Sequence, residues 1–238
     1  MCGIVGAIAE RNVSDILLEG LKRLEYRGYD SAGIALLNSN IEKLSDLKTV
    51  GKVEKLVNSA TKAKLRGNLG IAHTRWATHG KPTVANAHPH NSSKELFIAH
   101  NGIIENYQEL RAILKKDGYS FKTETDSETV AHLIHKERKG GNVNLVDATR
   151  KTIRKLEGAY GLCVIDKTLP DQIVVARSGS PLVIGIGIGE NFVASDPLAL
   201  GQVTDRFIYL EEGDVAKVTL DNIEIWHDGE KVSRSVTT

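Results

Sequence analysis

Apolar residues open the chain almost without a break, in Cys2-Gly3-Ile4-Val5-Gly6-Ala7-Ile8-Ala9. A short continuous run of this kind, punctuated by glycine, predicts a strand buried on both faces. The spacing then changes. Ile16, Leu17, Leu21 and Leu24 recur at helical intervals behind Ser14-Asp15, which predicts a helix capped there and ending near Arg27-Gly28. Residues 51–62 predict another short helix, and 69–75 (LGIAHTR) a strand. From Thr78 to Ser93 the chain is polar and carries prolines, so a long loop is expected, and such loops tend to be functional. Leu96 to His100 read as a strand, ended by Asn101-Gly102, a turn-forming pair.

Three helical stretches follow. The first covers about 106–116, with Leu110, Ile113 and Leu114 on one face and Gly118 as its stop. A second starts at Thr125-Asp126, turns Val130, Leu133 and Ile134 inward, and ends at Gly140-Gly141. A third runs from Asn144 to about Leu156 and closes at Gly158. Beyond residue 161 come short strand-like runs: GLCVIDK, QIVVARS, PLVIGIGI, NFVASD, RFIYLEEGDVAKVTL and IEIWH. Their tight turns imply antiparallel pairing. Helices grouped together and strands grouped together predict an α+β fold, with sheet packed between helical layers. No repeat, low-complexity segment or linker divides the chain, so residues 1–238 are expected to form a single domain.

Composition narrows the function classes. The chain has 238 residues, 41% of them hydrophobic and 26% charged, as in an ordinary globular protein. Lys and Arg number 31 against 30 Asp and Glu, a net charge of +1, so nothing electrostatic points to nucleic acid or an acidic membrane. No apolar window of about 18 residues predicts a spanning helix. Two cysteines make no disulfide framework, and the N-terminus lacks a secretory pattern, so a cytoplasmic location is expected.

Several motifs lose their chemical meaning in context. Gly185, Gly187 and Gly189 lie in a strand pattern that opens no helix, which argues against a dinucleotide site. Gly80-Lys81 runs into Pro82 and lacks the spacing of a phosphate loop. His88 and His90 would share one face of a strand, as metal ligands do, but Pro89 separates them and no ligand cluster completes a site. Hydrogen bonding within a rigid loop is expected for them, and no metal. Cys163, in an apolar run, reads as a core residue. Cys2 differs. Behind a removable Met1 it would carry a free α-amine, with a reference pKa of roughly 7.7–8.0, beside its thiol. A nucleophile activated by its own terminal amine is an established arrangement.

Five blocks together carry a resemblance. They are Cys2-Gly3-Ile4-Val5-Gly6, Tyr26-Arg27-Gly28-Tyr29-Asp30-Ser31-Ala32-Gly33, His73-Thr74-Arg75-Trp76-Ala77-Thr78-His79-Gly80, Asn86-Ala87-His88-Pro89-His90 and His100-Asn101-Gly102-Ile103-Ile104-Glu105-Asn106. Ser178 to Leu182 and Ala194-Ser195-Asp196 extend the likeness, which covers essentially the whole chain. The chain resembles the class II glutamine amidotransferases, and within them the glutaminase domain of the glucosamine-6-phosphate synthase family. The resemblance implies an N-terminal-nucleophile hydrolase fold: a four-layer sandwich with two antiparallel sheets between helical layers.

It also implies roles. Cys2 would attack the side-chain amide of L-glutamine, and Asn101 and the Gly102 N–H would hold the oxyanion. Arg75 would take the α-carboxylate, completed by Thr78 and the backbone of Trp76 and His79. Asp126 would accept from the α-ammonium; read without the resemblance, it is a helix N-cap. Trp76 would sit on a loop that closes over glutamine. Arg27 would lie near the site mouth, or else complement its helix dipole, and His88 would lie nearby. No metal and no organic cofactor is implied. The family continues into two sugar-isomerase domains that bind fructose 6-phosphate, and its full-length members are expected to be homodimers. This sequence, ending at Thr238, is expected to be the glutaminase half. An amidophosphoribosyltransferase glutaminase and a non-catalytic glutamine-binding module stand as alternatives.

Overall fold

The computed structural model describes residues 2–139 and 143–238. Its first half holds β1 (Gly3–Ala9), α1 (Ser14–Arg23), β2 (Ser31–Asn38), β3 (Lys43–Val50), α2 (Val53–Lys62) and β4 (Leu69–Arg75). Next come β5 (His90–Ser92), β6 (Leu96–Ile104), α3 (Tyr107–Lys116), α4 (Ser127–Lys139) and α5 (Leu145–Ile153). The remaining strands are β7 (Gly158–Asp166), β8 (Leu169–Ser178), β9 (Val183–Ile186), β10 (Glu190–Ala194) and β11 (Phe207–Tyr209). Finally come β12 (Val215–Val218), β13 (Ile223–His227), β14 (Glu230–Val232) and β15 (Val236–Thr237).

These strands make two sheets. One runs β15-β11-β9-β10-β1-β4-β2-β3, the other β14-β13-β12-β8-β7-β6-β5. Paired strands are antiparallel in both, as the short turns required. The strand period of two decides the layering. On β1, Ile4 and Ile8 face the second sheet, where Phe97, Ala99, Cys163 and Ile165 meet them. Val5, Ala7 and Ala9 face the other way, onto Leu17, Leu21 and Leu56 of α1 and α2. The far face of the second sheet, through Ile98, Leu162 and Val164, packs under Leu114, Val130, Ile134 and Leu145 from α3, α4 and α5. The result is helix, sheet, sheet, helix, the expected α+β sandwich. Each large side chain buried this way contributes roughly 1.5–3 kcal/mol. Cys163 is core, as its run predicts. No helix among the described residues is long and apolar enough to cross a membrane.

Several expectations change. Ser31 to Val50 form β2 and β3, which the sequence reading left unassigned. The loop after Thr78 contains β5, paired with β6. Asn101-Gly102 does not turn: β6 continues to Ile104 because β7 supplies a ladder partner for each residue. Ser14 does not cap α1; Val13 holds the N-cap position without a side-chain bond, and Ser14 Oγ accepts from Asn12. Ile113 is exposed rather than on the buried face of α3. Gly118 does end α3 with a positive φ, and Asn144 does cap α5 through the Asp147 N–H. Gly158 opens β7, while β14 and β15 are additional strands. The Gly140-Gly141 stop lies outside the described residues.

Candidate active site

Cys2 immediately precedes β1, and the pairing of Gly3 with Thr74 carries it to the end of β4. There the chain leaves the sheet, and the Trp76 N–H donates to Cys2 Sγ at 3.2 Å. Asp30 fixes that corner. Its carboxylate accepts from the Ala77 N–H at 2.6 Å and from Ser31 Oγ at 2.9 Å, and its own N–H donates to the Arg75 carbonyl. The thiol is half-buried. Burial pushes its pKa up while the Trp76 amide pulls it down, and the balance is upward. A resting thiol, rather than thiolate, occupies the site near pH 7, so reaction needs a base.

Two donors converge on the Cys2 carbonyl. Asn101 Nδ2, from β6 of the second sheet, reaches it at 3.2 Å. Arg27 Nη1 reaches it at 3.3 Å from the short 3₁₀ turn after α1. Arg27 also pairs with Asp196 at 3.0 Å, and Tyr26 Oη donates to the same carboxylate at 2.7 Å. Burial works against the Asp196 anion, but Tyr26, the Leu198 amide and Arg27 together hold its pKa below the usual value. Arg27 is therefore tied to the Cys2 backbone and to Asp196, beyond any service to a helix dipole. Gly102 follows Asn101 at φ +124°, and a Cβ there would run into the Ala159 carbonyl. That crowding and that φ admit glycine alone.

The other wall is the loop after β4. Arg75 is buried, 3% exposed, and donates to the carbonyls of His79, Gly80 and Lys81. Asn86 and Glu124 bond each other across this loop, through Nδ2 to Oε2 at 2.9 Å and through the Glu124 N–H to Oδ1 at 3.0 Å. Thr78 is exposed, His79 lies edge-on to Tyr107, and the Trp76 ring, 54% of that residue being exposed, lies near Gly28. Asp126 is buried and stands at the start of α4, where its backbone carbonyl accepts from the Thr129 N–H while its carboxylate turns to β6. Its Oδ2 accepts from the Ile104 N–H of β6 at 2.8 Å, while Thr125 Oγ1 receives the first-turn amide of Glu128.

With that geometry in place, comparison with known proteins decides the family. Residues 73–202 match the glutamine amidotransferase domain family. The chain belongs to it. Relatives named glutamine–fructose-6-phosphate aminotransferase (isomerizing) are 58% identical over 235 residues in Pseudomonas putida and 56% over 236 in Acinetobacter baylyi. These alignments take in 98% and 99% of this chain but 38% of each relative, so the chain spans little more than a third of their length. Among solved structures, glutamine phosphoribosylpyrophosphate amidotransferase from B. subtilis superposes with a TM-score of 0.81 at 27% identity. That match covers 95% of this chain and 49% of the other, and it bears out the N-terminal-nucleophile type of fold.

Behind its candidate site the amidotransferase domain buries a histidine cluster. His73 and His88 stack with ring centroids 4.1 Å apart, and His88 and His90 lie 4.3 Å apart. Ser127 Oγ sits between His88 Nε2 and His100 Nδ1 at 2.9 and 2.7 Å, and His90 Nε2 meets Thr125 Oγ1 at 3.0 Å. Burial lowers the pKa of each, to about 3 for His73, so they are neutral. Among the described residues no group of three or more His, Cys, Asp or Glu is placed to hold a metal. His73, Asp30 and Asp196 are site-supporting residues that motif reading passed over. The signal was there for all three: each lies inside a quoted block, and acids beside glycine or serine turns often bond backbone amides.

Proposed function

We propose that this amidotransferase domain hydrolyses the side-chain amide of L-glutamine to glutamate and ammonia through a thioester on Cys2. The supporting observation is the thiol at the head of β1, under the Trp76 amide, with the Asn101 side-chain N–H₂ on the same residue. The sulfur bonds to the amide carbon, and the carbonyl electrons move onto oxygen. Asn101 Nδ2 and the Gly102 N–H receive that oxyanion, where one such donor is worth roughly 3–4 kcal/mol of barrier. The C–N bond then breaks. The thiol proton travels through the Cys2 α-amine to the departing ammonia, a route that needs Met1 removed. Water cleaves the thioester and regenerates the thiol.

At the other end of glutamine, Arg75 takes the α-carboxylate with the N–H groups its loop contacts leave over, helped by Thr78 and the backbone of Trp76 and His79. Asp126 accepts from the α-ammonium with its remaining oxygen. Trp76, on the exposed loop, closes over the substrate. Arg27 and His88 hold the surroundings. No metal or organic cofactor enters this chemistry. The high identity to fructose-6-phosphate aminotransferases favours fructose 6-phosphate as the destination of the ammonia, on domains beyond this chain; the family resemblance adds the expectation of a homodimeric, cytoplasmic enzyme. It favours that acceptor over phosphoribosyl pyrophosphate, given the lower identity to the amidotransferase from B. subtilis.

Purified chain with processed Cys2 is expected to release glutamate and ammonia from glutamine in equal amounts, and Cys2→Ser to abolish this. No ammonia from the processed chain refutes the reading.

A further inference from the structure

The His100 backbone carbonyl lies 3.1 Å from His73 Nε2. A carbonyl oxygen can only accept, so Nε2 carries the ring proton. The same N–H faces the side-chain amide of Asn101 at 2.9 Å. The amide atom on that side must therefore be Oδ1, which turns Nδ2 toward Cys2, where it donates to the carbonyl at 3.2 Å. A main-chain oxygen thus sets a tautomer, and the tautomer sets an amide. Flipping Asn101 would put N–H against N–H on one side and oxygen against oxygen on the other. Both contacts, the first buried and the second part-buried, would become repulsive.

From this we infer that His73 is a positioning residue for the reaction, locking the Asn101 amide with its N–H₂ toward Cys2. The inference rests on the oxyanion role proposed above for Asn101. The scaffold suits the task. His73 lies on β4 between Ile4 of β1 and Gly33 of β2, fully buried, with its ring stacked on His88. Among the described residues its Nδ1 has no hydrogen-bond partner, which leaves the Nε2–H tautomer without a competitor. His73 is fully buried, and its link to the proposed oxyanion donor is its contact with the Asn101 amide.

The test compares His73→Leu, which removes the donor at similar volume, with His73→Gln, which can return an N–H to the Nε2 position. His73→Leu should lower kcat for glutamine about 10- to 100-fold, part of what an oxyanion donor supplies, with KM within about twofold of wild type. His73→Gln should recover most of that loss. In an Asn101→Ala background His73→Leu should cost nothing more. Alkylation of Cys2 by iodoacetamide, which forms no oxyanion, should keep its wild-type rate. Unchanged kcat in a folded His73→Leu, a loss confined to KM, or additive losses in the double variant would each overturn the role. Should His73→Leu not fold, nitrogen-15 spectra of His73 in the wild-type chain decide: protonated Nε2 is expected, and protonated Nδ1 overturns the lock. A wild-type chain that releases no ammonia refutes the glutaminase reading instead, and the tautomer spectrum stays readable.

Discussion

Gly102 illustrates how little latitude single positions have here. Its φ of +124° costs an alanine of order 1–3 kcal/mol, and the added methyl would also press on the Ala159 carbonyl. Gly102→Ala is therefore expected to lower the urea midpoint and to cut kcat at least about 100-fold, since the Gly102 N–H must shift. Near-wild-type turnover in that variant would remove Gly102 from the oxyanion site. Cys2 makes a second demand at this scale. Its thiol is held protonated by burial, so the proton must have somewhere to go. An amide-linked Cys2 lacks the basic α-amine, so glutaminase activity should track the Met1-free fraction measured by intact mass spectrometry. Full activity in unprocessed protein would refute the amine route.

At the scale of elements, β4, the loop carrying β5, and β6 meet in the cluster of His73, His88, His90 and His100. Burial lowers all four pKa values, so the unfolded chain binds more protons than the folded one below its ordinary histidine pKa of about 6.5. The stability from neutral burial is complete above that pH and is lost progressively as the pH falls from there towards the lowered folded values. Each histidine contributes a slope of up to about 1.4 kcal/mol per pH unit. Arg75 and Lys48 face the cluster and disfavour charge there further. Urea midpoints should fall steeply from pH 7 to pH 5.5, and a flat profile would show that the four rings take up protons without unfolding. The same elements explain an error of reading. Asn-Gly is a strong turn signal in isolation, yet β7 offers the whole of β6 a ladder, and sheet pairing outweighs local preference.

For the whole molecule, the sandwich brings Cys2, Trp76, Asn101 and Arg27 together from β1, the loop after β4, β6 and the turn after α1, the groups proposed above to handle glutamine. Given glutamine and fructose 6-phosphate, the chain alone should release ammonia and form no glucosamine 6-phosphate; detection of the aminosugar by mass spectrometry would contradict that division. The helix and strand pattern determined the α+β class, because burial on both faces of β1 and the helical spacing of apolar residues such as Leu110 and Leu114 in α3 are written into the sequence. The motif blocks named Cys2, Arg75, Asn101, Gly102 and Asp126 as candidates. Tertiary structure alone decided what surrounds them. Cys2 and Trp76 are 74 residues apart and Arg27 and Asp196 are 169 apart, so no local window contains either pair. Likewise, the direction in which Asn101 points is set by a proton on His73, and that proton by the backbone oxygen of His100. Local preference depends on near neighbours, whereas hydrogen-bond direction depends on what folding brings into contact.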